Sequence, residues 1–154
     1  MKTENIPLNE HNKIEYPPMH TAEHLLNATM DKMFGCGRAV SAHVERKKSK
    51  CDYILEQAPS AEQIKAVEDA VNAAIVADYP VTYEFVSREE AMHSLDLSRL
   101  PDDASDTLRL VRIGDYDVCP CVGLHVATTA EIGRFVIISH DYNNGRLRLR
   151  FKLQ

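Results

Sequence analysis

The sequence predicts an α+β fold with a largely antiparallel sheet and flanking helices. Two observations carry this. Apolar residues recur at helical spacing in segments bounded by Pro, Ser and Gly, and short runs rich in β-branched residues surround them without any regular βα alternation. Pro17 and Pro18 open a first helix over 19–34, in which Leu25, Leu26, Met30, Met33 and Phe34 keep helical spacing and Gly35 is a stop signal. Residues 40–45 and 52–55 read as strands joined by a basic turn, Arg46-Lys47-Lys48-Ser49-Lys50. Ser60 with Gln63 makes a capping box for a second helix whose stripe is Ile64, Val67, Val71 and Ile75, ending near Asp78 ahead of Pro80. A strand over 81–86 follows, then a second capping box, Ser87 with Glu90, for a short helix to about residue 97, and a surface loop over 100–107. The tail is β-rich, with strands over 108–113, 116–118, 134–139 and 145–153, and Asn143-Asn144-Gly145 as a hairpin turn.

The chain shows no internal repeat, low-complexity tract or linker. With 154 residues and 44% hydrophobic composition it fits one domain spanning 1–154, with 1–15 as an extended or flexible N-terminal segment. Such a domain buries roughly two-thirds of the surface its unfolded chain exposes. No run approaches the ~20 apolar residues of a membrane span, and the start lacks the features of a signal peptide, so a cytosolic protein without a membrane partner is expected. Cys36, Cys51, Cys119 and Cys121 are too few and too unevenly spaced for a disulfide framework, which leaves them open to a metal role. A net charge of −5 excludes a general nucleic-acid binder, so any such contact must be local.

His20 and His24 stand four apart on the first helix and project from one face, where both imidazoles can reach one ion at ~2.0–2.1 Å. Cys121 and His125 repeat that spacing, and Gly123 between them is expected to let the backbone turn. Four N/S donors in two pairs suit tetrahedral Zn²⁺ better than harder cations. Cys119 competes for the thiolate position, but its simpler role is that of a small buried residue.

His20-Thr21-Ala22-Glu23-His24-Leu25-Leu26 together with Cys121-Val122-Gly123-Leu124-His125-Val126 resembles the H-x-x-x-H and C-x-x-x-H pair of the alanyl-tRNA synthetase editing domain and its free-standing AlaX relatives. The second motif continues through Thr128, Glu131-Ile132-Gly133 and Phe135 in the same pattern. Val86-Ser87-Arg88-Glu89-Glu90-Ala91 and Gly114-Asp115 look like the related second additional domain of threonyl-tRNA synthetase. The resemblance implies that fold, and a zinc-dependent deacylase acting in trans on mischarged aminoacyl-tRNA, most often seryl-tRNA(Ala), at the acceptor end. It implies His20, His24, Cys121 and His125 as metal ligands, with Glu23, Thr21 and His125 at the chemistry. Where the family has glycine and threonine in C-G-G-T-H this chain has Val122 and Leu124, and Glu23 replaces a threonine that contacts the serine hydroxyl. Cys119 stands where the threonyl enzyme has an aspartate. A four-ligand site is closed, which favours positioning of the ester over generation of hydroxide.

The tail Arg146-Leu147-Arg148-Leu149-Arg150-Phe151-Lys152-Leu153 alternates strictly, placing its cations on one face. That face, with Arg46, Lys47 and Lys48, is either a tRNA-phosphate track or solvated, edge-protecting charge. His11, His43, His93 and His140 have no partner spacing. Two rival readings stand beside the editor: an inactive zinc-stabilised tRNA-binding module, and an H-x-x-E-H metalloprotease with Glu23 as base.

Overall fold

The computed structural model describes residues 16–92 and 107–154. The expected N-terminal segment, the end of the short helix, the loop before residue 107, His11 and His93 lie outside them. The elements run α1 (Pro17–Phe34), β1 (Ser41–His43), β2 (Ser49–Ile54), α2 (Ala61–Val76), β3 (Val81–Ser87), α3 (Arg88–Met92), β4 (Thr107–Ile113), β5 (Asp117–Pro120), a 3-10 turn (Thr129–Ile132), β6 (Phe135–Asn143) and β7 (Arg146–Leu153). The class is α+β, as the sequence predicts. The strands, all antiparallel, form two sheets rather than one, in the orders β1-β2-β7-β6 and β3-β4-β5.

α1 lies inside the molecule. Pro17 and Pro18 occupy its first turn, where no backbone N–H is needed, and Gly35 ends it with a left-handed φ of 64°. Met19, Ala22, Leu25, Leu26 and Met30 are fully buried, and so nearly are the polar residues His20, Thr21, His24, Asn27 and Thr29. Buried polar groups need partners, and α1 finds them on both sides. Towards the four-stranded sheet, Asn27 Oδ1 accepts from the Tyr53 hydroxyl of β2 at 2.7 Å. Towards the three-stranded sheet, His24 faces Cys119 of β5, and Thr29 meets the Tyr116 hydroxyl just before that strand.

α2 starts on the expected capping box: Gln63 N–H donates to Ser60 Oγ and Ser60 N–H to Gln63 Oε1. Its stripe, Ile64, Val67, Val71 and Ile75, is buried, each side chain contributing roughly 1.5–3 kcal/mol. The Ser87–Glu90 box opens α3 in the same way. The β6–β7 hairpin turns on Asn144 and Gly145, with φ of 51° and 80°, the paired positive angles of a type I′ turn.

Two sequence expectations change. The basic turn is shorter, because Ser49 and Lys50 already belong to β2. β7 buries Leu147, Leu149 and Phe151 on one face, as its alternation requires, but it lies between β2 and β6, so its arginines do not protect an edge.

Candidate metal centre

The His20 and His24 rings project from the N-terminal half of α1 and meet the 121–125 loop that follows β5. One ligand atom from each of His20, His24, Cys121 and His125 lies within 4.8 Å of every other. The His20 and His125 rings stack at 4.1 Å, and His24 meets both edge-on at 5.0 and 4.5 Å. Cys121 Sγ sits 3.3 Å from His20 Nε2 and 3.6 Å from His125 Nε2.

The outer nitrogens are anchored, which aims the inner ones. His20 Nδ1 donates to the Leu124 carbonyl at 3.0 Å. His125 Nδ1 lies 2.8 Å from Thr21 Oγ, which also accepts the Val126 N–H. His24 Nδ1 stands 3.4 Å from Cys119 Sγ and 3.6 Å from Asp117 Oδ2. Asp117 is in turn gripped by both terminal nitrogens of Arg38 at 2.9 and 3.0 Å. A carboxylate behind a ligating histidine fixes its tautomer and strengthens it as a donor.

Protonation states point the same way. Burial raises the Cys121 thiol, but the charge on His24 and hydrogen bonds from His125 and His20 outweigh it and hold the thiol far below its usual range. Burial brings His125 down to about 4, so it is a neutral imidazole at pH 7. Burial also works against protonation of His20 and His24, yet the nearby cysteines pull both above the ordinary histidine value. A thiolate, a neutral imidazole and two imidazoles whose protons a divalent cation would displace form a donor set that fits Zn²⁺.

The loop is shaped by Arg109 of β4. Its Nε donates to the Cys121 carbonyl at 2.8 Å and its Nη2 to the Gly123 carbonyl. Gly123 lies in a bend, as the sequence expects, though without a positive φ, and Arg109 clamps the carbonyls of that bend. Asp117, Arg38 and Arg109 carried no signal in the linear motif. The period of a strand does connect Asp117, Cys119 and Cys121, which alternate towards α1. Cys119 is buried, as a small core residue would be, and is also a partner of His24.

The remaining site residues fall into two groups. Glu23 sits beside the centre: Oε1 is 3.9 Å from His24 Nε2, and Oε2 accepts from Asn27 Nδ2 at 2.6 Å. Thr21 is fully buried behind His125. The basic residues lie elsewhere. Arg146 and Arg148 both bind the buried Asp52 at 2.8 Å, and Arg150 pairs with Asp141 at 2.9 Å. Arg46 stacks on Tyr16 at 4.2 Å, Lys47 and Lys48 are exposed, and Lys152 is half-buried. His43 and His140 are exposed, away from the centre.

Comparison with known proteins gives the class first. Residues 108–149, which include Cys121 and His125, match the family model described as the threonyl and alanyl tRNA synthetase second additional domain. Within that class the chain carries an alanyl-tRNA synthetase editing-like domain. It is 32% identical over 136 residues to alanine–tRNA ligase of Halorhodospira halophila, covering 84% of this chain and 15% of that protein. It is 35% identical over 132 residues to the ligase of Ligilactobacillus salivarius (85% and 15%), and 36% over 124 residues to that of Streptococcus thermophilus (79% and 14%). The chain thus spans about 15% of the length of these curated relatives. No helix among the described residues is long and apolar enough to cross a membrane.

Proposed function

We propose that this domain binds Zn²⁺ through His20, His24, Cys121 and His125 and hydrolyses the ester of mischarged aminoacyl-tRNA, with seryl-tRNA(Ala) as the first substrate to test. The observation that carries the reading is the convergence of these four donors from segments a hundred residues apart, in a chain similar to alanine–tRNA ligase. Zinc there would supply a Lewis-acid anchor for the amine or carbonyl of the aminoacyl group.

The chain's own residues do the rest. Thr21 and the Leu124 carbonyl hold His125 and His20 in orientation. Glu23 offers Oε1 towards the centre while Asn27 holds Oε2, and Asn27 is itself fixed by the Tyr53 hydroxyl and the Ala39 N–H. An ionised carboxylate accepts hydrogen bonds only, which suits a serine hydroxyl or an ammonium group and gives nothing to an alanine methyl. A closed set of four protein ligands favours a second reading, a zinc-stabilised tRNA-binding module without activity.

Purified protein incubated with seryl-tRNA(Ala) separates the two. The editor releases serine and loses that activity on chelation; the binding module retains the tRNA and releases nothing. Glu23→Gln is expected to slow seryl ester hydrolysis by ~10²-fold or more. An equal loss on seryl-, glycyl- and alanyl-tRNA marks a general base, and a loss confined to serine marks recognition of the hydroxyl. Unchanged rates would remove Glu23 from the site.

A further inference from the structure

The β3-β4-β5 sheet turns one face towards α1, and its register arranges that face in rows. Asp117, Ile113 and Val81 form one row; Cys119, Val111 and Tyr83 form the next. Beyond them the Cys121 N–H bonds the Arg109 carbonyl, and Arg109 pairs with Phe85. The first row is buried, with Ile113 at 0% and Val81 at 7% exposure. The outer strand instead leaves two aromatic rings in the open, Tyr83 at 44% and Phe85 at 48%, and Leu124 of the metal loop is 59% exposed.

The two rings are dressed differently. Tyr83 is braced, with the Arg109 guanidinium 4.6 Å above its ring and the His125 ring 6.4 Å away. Phe85 has no aromatic or cationic partner among the described residues. Exposed aromatic rings beside a cation, continuous with a site for a nucleic-acid ester, match what single-stranded nucleic acids use: base stacking on aromatic faces with an arginine nearby. A partner protein would favour a broader apolar patch, whereas here the Arg109 guanidinium lies over one of the two rings.

From this we infer that Tyr83 and Phe85 form the stacking platform for the unpaired 3′-terminal base, with Phe85 taking the base face and Arg109 serving both the platform and the metal loop. The inference rests on the proposed aminoacyl-tRNA reading. It adds the subsite that places the terminal nucleoside so that its ester lies at the metal centre.

The test uses an acceptor-stem RNA hairpin ending in an intact 3′-CCA and the same hairpin with an abasic terminal residue. The intact hairpin is expected to bind the zinc-loaded protein about tenfold more tightly than the abasic one, within the range of one stacked base. Phe85→Ala should erase that difference, and Phe85→Trp should keep it. The chain contains no tryptophan, so Phe85→Trp also gives a single tryptophan whose emission stacking should quench. Because Phe85 is exposed, circular dichroism and melting of both variants should match the parent. Equal affinity for the two hairpins, or a base preference that survives Phe85→Ala, overturns the platform while leaving the proposed activity standing. Binding of neither hairpin overturns the proposed activity and the platform with it.

Discussion

Two clusters of polar groups, one around Asp52 on the four-stranded sheet and one between α1 and the loop after β5, differ in how they are satisfied. Around Asp52, opposite charges close on one another: a carboxylate exposed by only 1% accepts from Arg146 and Arg148, and nothing further is required. Around Cys121, three imidazoles and one thiol converge while their outer atoms are tied to Leu124, Thr21 and Asp117. A carboxylate whose oxygens are taken up by side chains of the neighbouring strand holds strands together. A cluster that points several donors of the same kind inward is arranged for something that is not part of the chain.

The largest effect that tests this contrast is removal of the inward thiolate. Cys121→Ala should abolish stoichiometric zinc binding, and with it about 4 kcal/mol of ligand-linked stability when zinc stands a thousandfold above its Kd. Cys119→Ala should retain zinc. Metal analysis showing the reverse order would transfer the thiolate role to Cys119. The next effect is on the support behind His24: Asp117→Asn should weaken zinc affinity by ~10–100-fold without abolishing it, as measured by competition with a chelator. Unchanged affinity would make the Arg38–Asp117 pair a purely structural tie between the segment that follows α1 and β5.

The smallest effect belongs to the self-satisfied cluster and appears in acid. The Arg148 hydrogen bond, acting against burial and helped by Arg146, lowers the Asp52 carboxyl from 3.8 to about 2. Its folded value is depressed, so the stability it contributes is complete above about pH 4 and lost as the pH falls through about 2. Screened by solvent at the part-exposed arginines, that contribution is about 1 kcal/mol, and Asp52→Asn should lower the melting temperature at pH 6 and flatten the acid limb between those values. Zinc content at pH 6 should not change. A variant that lost zinc there would couple the two clusters and end the comparison.

The same contrast explains what the sequence made legible. α2 could be read to its capping box, because Ser60, Gln63 and the apolar stripe are local signals. The metal motifs were legible because a four-residue helical spacing and a short loop each bring two donors to one side. Arg38 and Arg109 were not, since each acts through a contact that depends on how β5 lies against α1 and β4. The basic tail misled in its own way. Alternation correctly separated Leu147, Leu149 and Phe151 from the arginines, but only strand order reveals that Asp52 and Asp141 flank them on adjacent strands. Thr128 and Glu131, noticed as part of a motif, form a capping box for the 3-10 turn, which docks on α2 through Thr129 Oγ and the Ala74 carbonyl.

The metal loop is pinned at both ends. Cys121 is held by the Arg109 carbonyl and guanidinium; at the far end the Val81 N–H bonds the Ala127 carbonyl, and Pro80 bridges to Thr128. Its contour length is therefore a fixed quantity, set by two anchors on the three-stranded sheet. A residue inserted between Val122 and Leu124 cannot be absorbed as slack and must swing His125 off the Thr21 hydroxyl. The exposed stretch Glu56-Gln57-Ala58, joining β2 to α2, has no such anchoring role for the centre and is where an affinity tag or added peptide can be placed with the donors left in position.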